Sequence, residues 1–212
     1  MIVLFDLDST LCTIEWCDVL ADAIWCGVEV ANITEQTMNG DMDFDTAFPA
    51  KHDLIAAGTQ DILAIADIYL QHITPGMTDL IKDLHTAWHK VWILTQWYQP
   101  AAEILGKKLG IEKKYIFWIE FEFDEQGEYV WFPEQLLKYA DGKSWIIKSL
   151  KTQNCNTKIC FVWDSVRDMV CGADADFFIW FGGVVVRPAV EKTAEKFVYS
   201  IKELRKELLA LN

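Results

Sequence analysis

Two carboxylates, Asp6 and Asp8, follow directly on five apolar residues, Met1-Ile2-Val3-Leu4-Phe5. One carboxylate can act as a nucleophile toward phosphorus, and a second beside it can act as acid and base. Three further groups recur along the chain in similar settings. Thr95 closes the apolar run Lys90–Leu94. Lys143 stands in Asp141-Gly142-Lys143, ahead of a helical stretch. Asp164 and Asp168 lie in Asp164-Ser165-Val166-Arg167-Asp168, after Lys158–Val162 and Trp163. Singly, each has an ordinary reading. Asp6 and Asp8 are turn residues, Thr95 ends a strand, Lys143 is a solvated lysine, and Asp164 and Asp168 cap a helix with Ser165. Together they give a carboxylate pair, a hydroxyl, a lysine and a second carboxylate pair, in that order.

Such groups need elements that bring them to one place. The run through Phe5 has no polar residue, which reads as a strand buried on both faces. In open α/β sheets ligands bind beyond the carboxyl ends of such strands. From about Ile14 to His72 apolar residues recur every three or four positions, which predicts a helical insertion after the first strand. Thr74-Pro75-Gly76 marks the return, with a helix through His85. Lys90–Leu94 is the second strand, and Pro100–Leu109 a helix capped by Gly110. Ile116–Phe123 and Glu128–Phe132 flank turn chemistry at 124–127 and read as a hairpin. A helix follows from Ser144 to Lys151. Lys158–Val162 and Phe177–Ile179 are further core strands joined by a helix over Val166–Gly172. Val184–Val186 reads as a last short strand and Val190–Leu211 as one amphipathic helix. The alternation predicts an α/β fold with a parallel sheet and helices on both faces.

The order of these groups resembles that of the haloacid dehalogenase superfamily, and within it the phosphoserine phosphatase family. Nearly the whole chain carries the resemblance. It includes Asp6-Leu7-Asp8-Ser9-Thr10, Glu15, Thr34-Glu35, Met38-Asn39-Gly40, Met42-Asp43-Phe44, Thr74-Pro75-Gly76, Phe123-Asp124-Glu125 and the run from Phe181 through Gly182-Gly183 to Arg187. The resemblance implies a three-layer, Rossmann-like core over residues 1–13 and 74–212, with a helical-bundle cap at 14–73. It implies hydrolysis of a small phosphomonoester, most simply O-phosphoserine in serine biosynthesis, through an aspartyl phosphate on Asp6. Asp8 would protonate the leaving oxygen and activate water, Thr95 would hold the phosphoryl group, and Lys143 would supply positive charge. A carboxylate and a phosphate repel, and oxygen ligands with phosphate select Mg2+. The implied metal set is Asp6, the carbonyl of Asp8, and Asp164, with Asp168 in support. Glu15 would hold the substrate ammonium, and Met38, Phe44, Lys51 and Gln96 would line the substrate site.

Departures accompany the resemblance. Lys51 stands where the family has Arg, keeping charge but losing the two-pronged grip on a carboxylate. Arg167 replaces a small or neutral residue. The chain has ten tryptophans, and Trp16, Trp88, Trp97, Trp131, Trp163 and Trp180 occupy positions where the family has Gly. Trp92 and Trp118 read the same way, while Trp25 and Trp145 are less diagnostic. An indole at 97 or 163 would fill substrate space that glycine leaves open. One explanation is a genetic code that reads UGA as Gly. The alternative is a Trp-rich binding protein whose phosphate loop is blocked by Trp163, Trp97 and Gln96. Another small amino-containing or acidic phosphomonoester is a third reading.

Composition fits a cytoplasmic enzyme of one core with an insertion. The net charge of −13 argues against a nucleic-acid partner. No apolar run nears the roughly 20 residues of a membrane helix, and a chain opening on a core strand leaves no expected signal peptide. The six cysteines lack zinc spacing, and most read as buried, reduced thiols.

Overall fold

The computed structural model describes residues 1–165 and 169–211, and only the backbone of Met169 and Val170. Three strands place the chemistry. β1 (Ile2–Phe5) lies between β2 (Lys90–Tyr98) and β6 (Ile159–Trp163), parallel to both. β3 (Ile116–Ile119) flanks β2, and β7 (Phe177–Phe181) and β8 (Phe197–Val198) extend the sheet beyond β6. The order among the described residues is therefore β3-β2-β1-β6-β7-β8, all parallel. β4 (Glu122–Phe123) and β5 (Tyr129–Trp131) form a separate antiparallel ribbon.

Alternation along β1 divides the core in two, because successive side chains point to opposite faces. Val3 and Phe5 join Ile93, Val162, Leu80, Leu84, Leu105 and Leu204 on one face. Ile2 and Leu4 join Leu94, Phe161, Ile147 and Leu150 on the other. The first group brings in α5 (Met77–Thr86), α6 (Gln99–Leu109) and α10 (Ile201–Ala210). The second brings in α7 (Gly142–Gln153) and α9 (Pro188–Thr193). This is the expected three-layer α/β arrangement. α8 (Met169–Gly172) is the described part of the helix expected over 166–172.

Between Cys12 and Ile73 stand four helices: α1 (Trp16–Ala23), α2 (Gly27–Asn39), α3 (Phe44–Ile55) and α4 (Thr59–Gln71). Each buries one stripe at helical spacing, such as Ile62, Ile65, Ala66 and Tyr69 in α4. A bridge between Cys12 and Ile73 ties the two ends of the insertion together.

Four readings of the sequence need correction. β2 runs on through Thr95, Gln96, Trp97 and Tyr98, since Thr and aromatic residues suit a buried strand; Thr95 lies within the strand. Only the second half of the expected first hairpin arm pairs with 129–131, because Ile116–Ile119 joins β2 in the main sheet. Val184–Val186 form no strand; Phe197–Val198 take the edge place beside β7. The C-terminal stretch is two helices, since Pro188 opens α9 and Ser200 caps α10 after β8 intervenes. Four of the six cysteines are buried, while Cys26 is partly exposed and Cys155 exposed.

Candidate active site

Because β2, β1 and β6 are neighbours and parallel, their carboxyl ends form one rim. Asp6 leaves β1 with its backbone N–H on Val162 O at 3.0 Å, so the β1–β6 ladder continues into the acidic loop. One carboxylate oxygen accepts the Leu7 N–H at 2.8 Å, and the other accepts Lys143 Nζ at 2.6 Å. Lys143 comes from the first turn of α7 and is 2 % exposed. Such a buried pair survives only because each charge answers the other. Ser9, two residues before Leu11, holds the left-handed conformation at φ 49°. A non-glycine residue there stores strain of the kind that clusters at functional sites.

Asp8 is half-buried in the same loop. The Tyr69 hydroxyl of α4 donates to its carboxylate. Burial first, and then the charge of Glu15, push the Asp8 carboxyl well above the usual range, with Asp6 and Asp164 adding to the rise and the Tyr69 bond opposing it. A shift in that direction suits a proton donor. From β6, Asp164 enters the rim nearly buried and accepts Arg187 Nε at 3.0 Å. Arg187 also reaches Glu15 at 3.5 Å. Glu15 in turn accepts the Ser9 hydroxyl at 2.5 Å.

A small cavity of about 30 Å3 joins these groups, lined by Asp6, Asp8, Asp164, Thr95 and Gln96 below and by Glu15, Met38, Phe44 and Lys51 from the helical insertion. All expected site residues of the described chain except Lys143 thus line one space, and Lys143 reaches it through Asp6. Asp168 and Arg167 lie outside the described residues. Lys51 is buried, with Nζ 3.4 Å from the Thr34 hydroxyl, which donates to Asp18 at 2.9 Å. Gln96 gives its amide to the carbonyl of Leu137 at 2.7 Å, while its buried Oε1 finds no partner. That orphan acceptor is open to a donor in the cavity.

Sequence reading missed four participants. Arg187 sat at the end of a motif with no role attached. Tyr69 looked like one more apolar-face residue of a helix, and its hydroxyl on Asp8 requires the tertiary fold. Cys17 and Phe48 also line the cavity, beside Trp16, which the sequence already singles out. Among the described residues no group of three His, Cys, Asp or Glu side chains forms a metal site. The expected set needs only two such side chains with a backbone carbonyl. Asp6 and Asp164 supply hard oxygen donors to one cavity, which Asp8 and Glu15 line as well. The residues present therefore fit a hard divalent cation.

A family model for haloacid dehalogenase-like hydrolases matches residues 1–176. The phosphoserine phosphatase of Bos taurus is 33 % identical over 205 residues, covering 95 % of this chain and 90 % of the relative. That of Homo sapiens is 32 % identical over 209 residues, covering 97 % and 92 %. A solved structure described as a phospho-aspartyl intermediate analogue of phosphoserine phosphatase superposes with a TM-score of 0.85 at 21 % identity, covering 97 % of each chain. With a rim of paired carboxylates and lysine on this fold, and full-length likeness at that level, the chain belongs to the phosphoserine phosphatase family of haloacid dehalogenase-like hydrolases.

Proposed function

We propose that the protein hydrolyses O-phosphoserine to serine and phosphate. The observation that carries this reading is the single cavity in which Asp6, paired with Lys143, faces Glu15 and Lys51. One side offers phosphoryl chemistry, and the other offers opposite charges for an ammonium and a carboxylate. The helices at 14–73 act as the cap over the core at 1–13 and 74–212.

An Asp6 oxygen attacks phosphorus as the bond to the serine oxygen breaks. Asp8 gives its proton to that leaving oxygen. Water then attacks the aspartyl phosphate, Asp8 takes the water proton, and phosphate leaves with Asp6 restored. Lys143 holds the Asp6 oxygens in place and offsets phosphoryl charge. Thr95 orients the phosphoryl group, and the free Oε1 of Gln96 accepts from a donor of the substrate. Asp6, the Asp8 carbonyl, Asp164 and Asp168 would hold Mg2+, which when bound neutralises phosphate charge. Glu15 takes the substrate ammonium and Lys51 its carboxylate, with Met38 and Phe44 closing the apolar side. The likeness to phosphoserine phosphatases supports a role in serine formation, which we place in the cytoplasm.

The test is release of phosphate from phosphoserine with Mg2+ present, set beside phosphothreonine and 3-phosphoglycerate. Mg2+-dependent turnover that prefers phosphoserine supports the reading. Equal turnover of all three would leave a phosphatase of another specificity. No turnover of any would leave a binding protein.

A further inference from the structure

Four helices of this protein end in the same way. At Gly40 and Gly110 the N–H bonds the carbonyl three residues back, at 3.2 and 3.3 Å, and the next N–H bonds the carbonyl five back, at 2.8 Å in both. The two glycines lie at φ 87° and 77°. Trp25 and Trp88 make the same pair of bonds, at 3.4 and 3.0 Å and then 2.9 Å in both, with φ 68° and 62°. This is the helix stop that calls for a left-handed residue, and glycine adopts it without a Cβ clash. Tryptophan does so at a steric cost. Nothing offsets that cost, because the two indoles are 95 % and 91 % exposed. They occupy positions whose backbone asks for glycine and whose side chains touch little.

Inside the molecule the ring is instead too large. The Trp163 and Phe178 rings have centroids 2.9 Å apart, while packed aromatic pairs sit at about 4.5–7 Å. Trp180 packs on the same indole edge-on at 4.9 Å. The indole N–H groups of Trp92, Trp97 and Trp163 are buried without a partner, a cost that Trp in a core normally avoids. Trp97 lies buried against the Tyr69 ring at 4.1 Å, and Tyr69 holds Asp8. Trp16 lines the cavity, whose 30 Å3 is room for about one water molecule. Small-molecule pockets run to about 300–1,000 Å3.

We infer that the functional polypeptide carries glycine at positions 25, 88, 97 and 163, and that all ten tryptophans share one origin, a UGA codon that the source organism reads as glycine. One misread codon accounts together for two strained exposed helix stops, one overfilled core layer and one closed active site. Ten separate substitutions would need a separate cause at each. Glycine at 16, 97 and 163 removes three indoles from in and around the cavity and gives a phosphomonoester the space that the proposed activity requires. In this last respect the inference deepens the phosphatase reading, but the helix stops and the ring crowding stand without it.

The test is to sequence the coding DNA and to identify the peptides spanning these positions by mass spectrometry of the protein isolated from its source cells. UGA codons with glycine-containing peptides are expected. A UGG codon or a tryptophan-containing peptide at 25, 88, 97 or 163 would overturn the inference. Neither measurement depends on catalysis, so the phosphatase reading can fail separately. Recombinant protein with glycine at all ten positions should turn over phosphoserine at least roughly a hundredfold faster than the tryptophan form, since misplacing a reacting group by about 1 Å costs that much. If the source protein contains glycine and the glycine form is inert on every phosphomonoester, the phosphatase reading falls and the glycine assignment stands.

Discussion

The floor and the roof of the cavity are built differently. The floor consists of Asp6 and Asp164, just beyond β1 and β6, and Thr95 within β2, on three adjacent parallel strands, with Lys143 reaching in from α7. Their relative positions follow from sheet register. The roof consists of Glu15, Met38, Phe44 and Lys51 on or beside three short helices of the insertion. Their positions follow from side-chain packing and from hydrogen bonds such as Lys51 to Thr34. Chemistry that tolerates little displacement sits on the rigid part, and substrate selection sits on the part that can be repacked. Substitutions in the floor should therefore abolish turnover of every phosphomonoester, and substitutions in the roof should redistribute it among them.

The largest effect is expected for Asp6→Asn. The amide keeps the shape and the Leu7 N–H contact but cannot form an acyl phosphate, so kcat should fall by at least about 10,000-fold with the fold intact. Phosphate or fluoroberyllate trapping should be lost with it. Substantial activity, with deamidation excluded by mass, would break the division between floor and roof at its most important residue. Lys143→Met is the next largest. It leaves the Asp6 charge buried without its lysine, and breaking such pairs costs about 3–5 kcal/mol. Both kcat and chemical stability should drop, the former by roughly 100- to 1,000-fold. A stability loss with unchanged kcat would make Lys143 a structural counter-ion only.

Roof variants should act on specificity. Glu15→Gln removes the charge opposite the substrate ammonium, worth about 1.5–3 kcal/mol for a hydrogen bond to a charged group. The expected loss in kcat/KM is about 10- to 100-fold on phosphoserine and much less on 3-phosphoglycerate, which has no ammonium. Equal losses would move Glu15 into the floor, where its contacts with Ser9 and Arg187 already reach. Lys51→Arg should preserve or raise kcat/KM on phosphoserine, since guanidinium grips a carboxylate with two parallel bonds.

The roof also carries an acid weakness. His52 of α3 is buried among Trp16, Phe48, Tyr98 and Phe121, and burial first, with the Lys51 charge second, holds its pKa down to about 3. The folded protein therefore keeps His52 neutral while the unfolded chain protonates below its ordinary value of 6.5. The unfolded state binds more protons between pH 6.5 and 3, so this group lowers stability as pH falls through that window, by up to about 1.4 kcal/mol per unit. Denaturant titrations of His52→Phe should show a shallower loss than wild type between pH 6 and 4. Parallel curves would show that His52 is not buried neutral.

Most of the floor could be read before folding, because a strand and the polar residue after it are contiguous in sequence. Ile2–Phe5 into Asp6 and Ile159–Trp163 into Asp164 needed only an apolar run and its end. Arg187 and Tyr69 were not legible in that way. Arg187 meets Glu15 across 172 residues and Tyr69 meets Asp8 across 61, and neither local periodicity nor spacing carries such a pairing. The sheet edge failed for a related reason. Val184–Val186 have strand-like side chains, but Phe197–Val198 win the place beside β7 through bonds from Trp180 and Gly182, a competition decided by tertiary pairing rather than propensity.

The smallest expected effects separate floor from roof by stability rather than rate. Trp25 ends α1 in the insertion and Trp88 ends α5 in the core. Each places a bulky L-residue in the left-handed region, at a cost of roughly 1–2 kcal/mol. Trp88→Gly should raise Tm by about 2–4 °C per kcal/mol recovered, and Trp88→Ala should recover less because alanine keeps the Cβ. Equal gains from Ala and Gly would trace the effect to removal of an exposed indole instead of backbone strain. Trp25→Gly should produce the same gain only if insertion and core melt together. If calorimetry shows two transitions, Trp25→Gly should move the first and Trp88→Gly the second, as expected of a roof that opens without unfolding the floor. A shift of one shared transition by both variants would instead join roof and floor in a single cooperative unit, and selection and chemistry would then be divided by position alone.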